Sequence, residues 1–119
     1  MLRFIIAISV AMASASGRMG GVGDSAVTPE AQAAVKSVWP AFGEMAMAQG
    51  RNGLLGDYKD EAVVEVKKQV VAGINYFVKV QVGSDEYAHL RIYDRFGDVK
   101  LAGIQLAKSK DDELAYFEP

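Results

Sequence analysis

The chain has 119 residues, half of them hydrophobic and 24% charged, which suits one globular domain with a single modest core. A formal charge of −2 gives no electrostatic footprint for nucleic acid or an anionic membrane, so neither is an expected partner. With no cysteine and one histidine, a disulfide framework, a thiolate or multi-histidine metal site and a cysteine nucleophile are excluded, and no cofactor is expected.

The first segment reads as a targeting sequence. Met1-Leu2-Arg3 is a short basic start, and Phe4 to Ala13 is almost wholly apolar but too short to span a bilayer. Ala11-Met12-Ala13 and Ala13-Ser14-Ala15 are small-x-small cleavage patterns, so residues 1–15 are expected to be a cleaved secretory signal and 16–119 a single domain. Two other readings stand beside it: a disordered N-terminal extension, and an internal start at Met19 that would leave a leaderless cytosolic protein. Gly17 to Val27, rich in Gly, Ser and Ala and without periodicity, is expected to be a flexible arm.

Thr28-Pro29-Glu30 then opens a helix, with a capping hydroxyl, proline at the first helical position and an acid in the first turn. Ala31, Val35, Val38, Phe42 and Met45 recur at three- and four-residue spacing, one apolar stripe running to about Gln49. Pro40 lies inside the pattern and predicts a kink between Lys36 and Pro40. Gly50 to Gly56 is a Gly-rich connector.

Strand patterns follow. Val64, Val66 and Val70 are expected on one face of the first, opposite Glu65, Lys67 and Gln69, and Tyr76, Val78, Val80 and Val82 on one face of the next. Gly83 to Glu86 turns the chain into a strand where Ala88, Leu90 and Ile92 alternate with His89, Arg91 and Tyr93. Arg95-Phe96-Gly97-Asp98 turns it again into a last strand, Val99 to Ala107. His89 reads as structural, and Asp111-Asp112-Glu113 as a solvated acidic run. One helix followed by an antiparallel meander is an α+β fold in which the helix stripe buries one sheet face.

Between the first two strands lies Gln69-Val70-Val71-Ala72-Gly73, a small apolar hairpin tip closed by a glycine, leading into Asn75-Tyr76-Phe77. Together with Gly20-Gly21-Val22, the Thr28-Pro29-Glu30 helix start, His89-Leu90-Arg91 and Lys110 to Leu114 with Tyr116-Phe117, this run resembles the stefins, the single-domain, disulfide-free cystatins. The resemblance implies a cystatin-like roll, an antiparallel sheet of four to five strands wrapped around one long helix. It also implies a reversible inhibitor, not an enzyme, whose partners are papain-like cysteine proteases of the cathepsin type.

In that family the active-site cleft is plugged by three segments along one edge. Here they fall on Gly20 and Gly21 of the N-terminal trunk, on Gln69, Val70, Val71, Ala72 and Gly73 of the first hairpin loop, and on Phe96 of the second. The second turn is shorter than the family usually has and lacks its Leu-Pro pair, the connector after the helix is longer, and most stefins have no leader. A non-inhibitory interaction module on the same fold is the alternative function, and a cone-pocket enzyme of the same roll a third. The resemblance implies a monomer, with a dimer formed by hairpin exchange as its other state.

Overall fold

The structure, a computed structural model, describes residues 22–51 and 56–119. The elements in chain order are β1 (Val22–Ser25), α1 (Pro29–Ala48), a short 3-10 turn (Asp60–Ala62), β2 (Val63–Val71), β3 (Gly73–Gln81), β4 (Tyr87–Arg95) and β5 (Asp98–Lys108). The five strands form one antiparallel sheet in sequence order, with α1 packed across one face. This is the expected α+β roll of one helix and an antiparallel sheet.

The helix starts where its chemistry places it. Thr28 caps it by accepting from the Ala31 amide at 3.2 Å, and Pro29 fills a first-turn position where no N–H is needed. It runs through Pro40 without ending. Pro40 and Lys36 are both exposed, so the carbonyl that loses its helical donor faces water. The buried stripe is Ala31, Ala34, Val35, Val38, Phe42 and Ala46. Ala46, four residues after Phe42, takes the place expected of Met45, which is half-buried.

On the sheet, Tyr76, Val78 and Val80 of β3 and Ala88, Leu90 and Ile92 of β4 face the helix as their alternation requires. The expectation for β2 needs correction. The pairing steps from Val63↔Val80 to Glu65↔Lys79, leaving Val64 as an extra residue. That bulge puts Val63 and Val66 in the core and leaves Val64 exposed. A second bulge in β5 lies between Leu101, opposite Ile92, and Gly103, opposite Arg91. It shifts the apolar phase from Val99 and Leu101 to Ile104 and Leu106, all four packed against the core.

Two further departures involve the ends. The arm before the helix is not uniformly irregular, because Val22–Ser25 pairs antiparallel with β2 from Val22↔Gln69 to Ser25↔Val66. The far face of the sheet is not open either, because residues 109–119 lie across it. The Lys79 ammonium is almost fully buried and donates to the carbonyls of Lys110 (2.7 Å) and Asp112 (2.6 Å). Arg91 donates to the Phe117 carbonyl at 2.8 Å, and its guanidinium lies 5.0 Å from the Tyr116 ring centre. Leu114 is buried, and Phe77 packs its ring against Tyr116 and Phe117. The side chains of Asp111, Asp112 and Glu113 are exposed as expected, while the backbone beneath them is tied down.

The connector after α1 is anchored on both sides of residues 52–55. Arg51 forms a two-pronged ion pair with Glu86, Trp39 donates to the Gly56 carbonyl at 3.0 Å, and Tyr58 donates to the Gln32 carbonyl at 3.0 Å. The Arg51–Glu86 pair lies at the β3–β4 turn, at the end of the sheet away from the β2–β3 hairpin.

Candidate functional site

The strand register builds one edge from three segments. Val22 opens β1 opposite Gln69, so the chain enters the described fold beside the β2–β3 tip. That tip closes through the pairs Val70↔Ile74 and Val71↔Gly73, with Ala72 at the apex. Ile74 in turn pairs with Asp94, two residues before Phe96, so the β4–β5 tip stands beside the first. Gly20 and Gly21 lie outside the described residues.

Apolar side chains crown this edge. Val70 is 71% exposed, Val71 44% and Phe96 86%. Val70 has the sheet parity of the buried Val66, yet it stands out at the hairpin tip. Exposed apolar groups gathered on adjoining tips are an unusual use of surface, because water penalises them unless something covers them.

The first tip is shaped by Gly73. Its φ is +117°, and an added Cβ would lie 2.7 Å from the Asp94 carbonyl oxygen and 3.0 Å from the Tyr93 ring. Both the dihedral and the close approach of β4 demand glycine there. Gln69 is half-buried rather than displayed at the tip. Its side-chain oxygen accepts from the Asn75 amide at 3.0 Å, which ties the two strands just behind the apex. Tyr93 on β4 donates its hydroxyl to the Ala72 carbonyl.

The second tip is a two-residue turn, since Arg95 pairs with Asp98. Phe96 has φ +52° and Gly97 φ +94°, the mirror-image turn that suits a hairpin's twist. A bulky residue at positive φ is disfavoured, so Phe96 holds an unfavourable backbone angle while displaying its ring to solvent. The Asp94 carboxylate accepts from the Gly97 amide at 2.9 Å and closes the turn.

Asn75, Tyr93 and Asp94 support the edge, and none of them is among the site residues expected from the sequence. Asn75 and Tyr93 are directly opposed across β3 and β4. The available signal was their place in the strands flanking the two turns. Asp94 could have been found as an acceptor three residues before Gly97, the spacing of a side-chain-closed turn.

Tyr76, behind the first tip, has its phenol pushed up by burial and by the charges of Asp94 and Glu30, so it stays neutral. Among the described residues no group of His, Asp and Glu is arranged to hold a metal ion, and no helix is long and apolar enough to cross a membrane. A shallow hollow lined by Trp39, Asp57, Lys59, Glu61 and Val82 lies near the connector and takes no part in the edge.

The cystatin domain family matches residues 20–96, a span that contains all three segments of the edge. Cystatin-A of Homo sapiens is 40% identical over 103 residues, covering 82% of this chain and 97% of that protein. Cystatin-A of Bos taurus is 42% identical over 64 residues, 50% of this chain and 65% of the relative. Leukocyte cysteine proteinase inhibitor 1 of Sus scrofa is 44% identical over 63 residues, 50% of this chain and 60% of the relative. The chain thus spans slightly under two thirds of the bovine and porcine proteins and nearly the whole of the human one.

Proposed function

The chain belongs to the cystatin family, in its stefin branch, and on that premise we propose that it is a reversible, tight-binding inhibitor of papain-like cysteine proteases. The observation that carries the reading is the register of the edge. Val22↔Gln69 and Ile74↔Asp94 align the chain's entry and both hairpin tips, and the tips carry Val70, Val71 and Phe96 into solvent. A porcine relative is itself named a cysteine proteinase inhibitor.

The inhibitor performs no bond chemistry. Its edge fills the protease cleft on both sides of the catalytic cysteine, and hairpin tips present no scissile peptide in attack geometry. Val70, Val71, Ala72 and Gly73 enter as an apolar wedge, Gln69 holds the wedge from behind, and Phe96 supplies a second apolar contact. Gly20 and Gly21, just ahead of β1, lie along the cleft as the third segment. Ordered tips lose little entropy on docking, and apolar surface removed from water drives the association. The targets are proteases of the cathepsin type, and the inhibitor acts as a monomer.

Residues 1–15 act as a secretory leader. The family match begins only at residue 20, which leaves the apolar run of Phe4 to Ala13 ahead of the matched span. Titration of papain and of a lysosomal cathepsin tests the function. Stoichiometric, reversible loss of activity at nanomolar concentration supports it. A folded chain that leaves both enzymes active at micromolar concentration overturns it in favour of a non-inhibitory interaction protein.

A further inference from the structure

We propose that Tyr93 and Asp94, adjacent residues of β4, are positioning residues that fix both hairpin tips of the edge, Tyr93 through the Ala72 carbonyl and Asp94 through the Gly97 amide. Ala72 lies beyond the last ladder pair, Val71↔Gly73, so its carbonyl has no cross-strand partner within its own hairpin. The Tyr93 hydroxyl, arriving from the neighbouring strand, donates to it. One residue later the Asp94 carboxylate accepts from Gly97 at 2.9 Å, inside the second tip. A single dipeptide therefore reaches the apex of each hairpin.

Gly73 has a further task in this arrangement. An added Cβ there would lie 3.1 Å from the Tyr93 hydroxyl and 3.0 Å from its ring, besides meeting the Asp94 carbonyl oxygen. The glycine thus leaves room for the tyrosine to lie against the hairpin and reach the apex. The row Gln69, Asn75 and Tyr93 then runs across three strands, with Asn75 bonded to Gln69 at 3.0 Å and directly opposite Tyr93. At the second tip the Asp94–Gly97 bond holds a turn whose leading residue, Phe96, has φ +52°. Without that bond the bulky residue has reason to leave the left-handed region, and the ring would lose its fixed position.

The functional consequence rests on the inhibitor reading: two tips held in place before contact lose less freedom on docking than two loose ones. The bracing itself does not rest on that reading and is measured without a protease.

The test uses the full chain and two variants, Tyr93→Phe and Asp94→Ala, followed by amide hydrogen exchange and by papain inhibition. In Tyr93→Phe, amides 71–74 should exchange at least about threefold faster while 96–98 keep their rates; in Asp94→Ala the pattern should reverse. Each variant should bind papain about 3- to 10-fold more weakly, the worth of one hydrogen bond. Unchanged exchange at both tips overturns the proposal, as does acceleration spread over the whole sheet, which would mark a general structural role. Local loosening with unchanged papain affinity also overturns the positioning role. If the parent chain fails to inhibit papain while the exchange pattern holds, the bracing stands and the inhibitor reading falls.

Discussion

Ile74 of β3 pairs with Asp94 of β4, and this one cross-strand relationship brings the two hairpin tips to the same edge. A shift by one residue would turn every side chain of β4 to the other face, moving Leu90 and Ile92 out of the core. The core therefore sets the register that aligns the edge. Placement of the tips follows from burial elsewhere in the sheet.

Val71→Asp should leave the fold intact and weaken inhibition. Val71 is 44% exposed at the hairpin tip, so the charge remains hydrated in the free protein. In a dry protease cleft it would lose that hydration without a partner, costing about 2 kcal/mol or more, roughly 30-fold in the inhibition constant. Circular dichroism checks the fold and papain titration checks the loss.

Phe96→Asn should separate stability from binding. Asparagine tolerates positive φ and favours the mirror-image turn, so the domain should gain about 1 kcal/mol, read as a rise of several degrees in thermal midpoint. The same change removes the aromatic ring from the second tip, and inhibition should fall several-fold. A midpoint that drops would mean that the 86% exposed ring packs in a way its exposure denies.

His89 predicts a pH dependence on the opposite face. Burial first, then the charges of Lys79 and Lys108, push its pKa down to about 4, against the smaller opposing pull of the Gln105 side chain and the charge of Asp112. The folded value lies below that of an unfolded histidine, about 6.5, so the unfolded chain binds the proton more readily. The contribution to stability is complete above pH 6.5 and is lost as pH falls toward 4, by at most about 3 kcal/mol. Urea midpoints measured from pH 7 to 4 should decline over that window, and His89→Gln should flatten the decline.

The segment over that face should be separable from the site. Leu114 is 1% exposed, and replacing it with alanine should cost about 2–5 kcal/mol in unfolding free energy. The folded fraction should still bind papain with unchanged affinity, because residues 109–119 touch the sheet face and not the tips. Chemical denaturation and active-site titration of the same sample check both halves.

Some of this was readable in the residues and some was not. The helix, both hairpins and the apolar wedge announce themselves through spacing and turn chemistry. Thr28-Pro29 marks a helix start, and Val70 to Gly73 marks a tip between two alternating runs. The bulge at Val64 was hidden because four valines in eight positions fit either phase; only the partner strand decides which face each takes. Val22–Ser25 was hidden because a short stretch with Gly and Ser has no strand pattern of its own and is ordered by the free edge of β2. The cover over the far face was hidden because Lys79 and Arg91 anchor it through the backbone carbonyls of Lys110, Asp112 and Phe117, bonds that side-chain patterns do not reveal. The roles of Tyr93 and Asp94 depend on contacts across twenty-one and three residues, and only the first needs the fold to be seen.

The most direct measurement is an amide hydrogen-exchange footprint of the chain in complex with papain whose catalytic cysteine has been blocked by a small alkyl group. Protection confined to residues 20–23, residues 69–74 and residues 94–98 is the predicted result. Protection elsewhere, or none at saturating enzyme, would contradict the account of the edge as a wedge for the protease cleft.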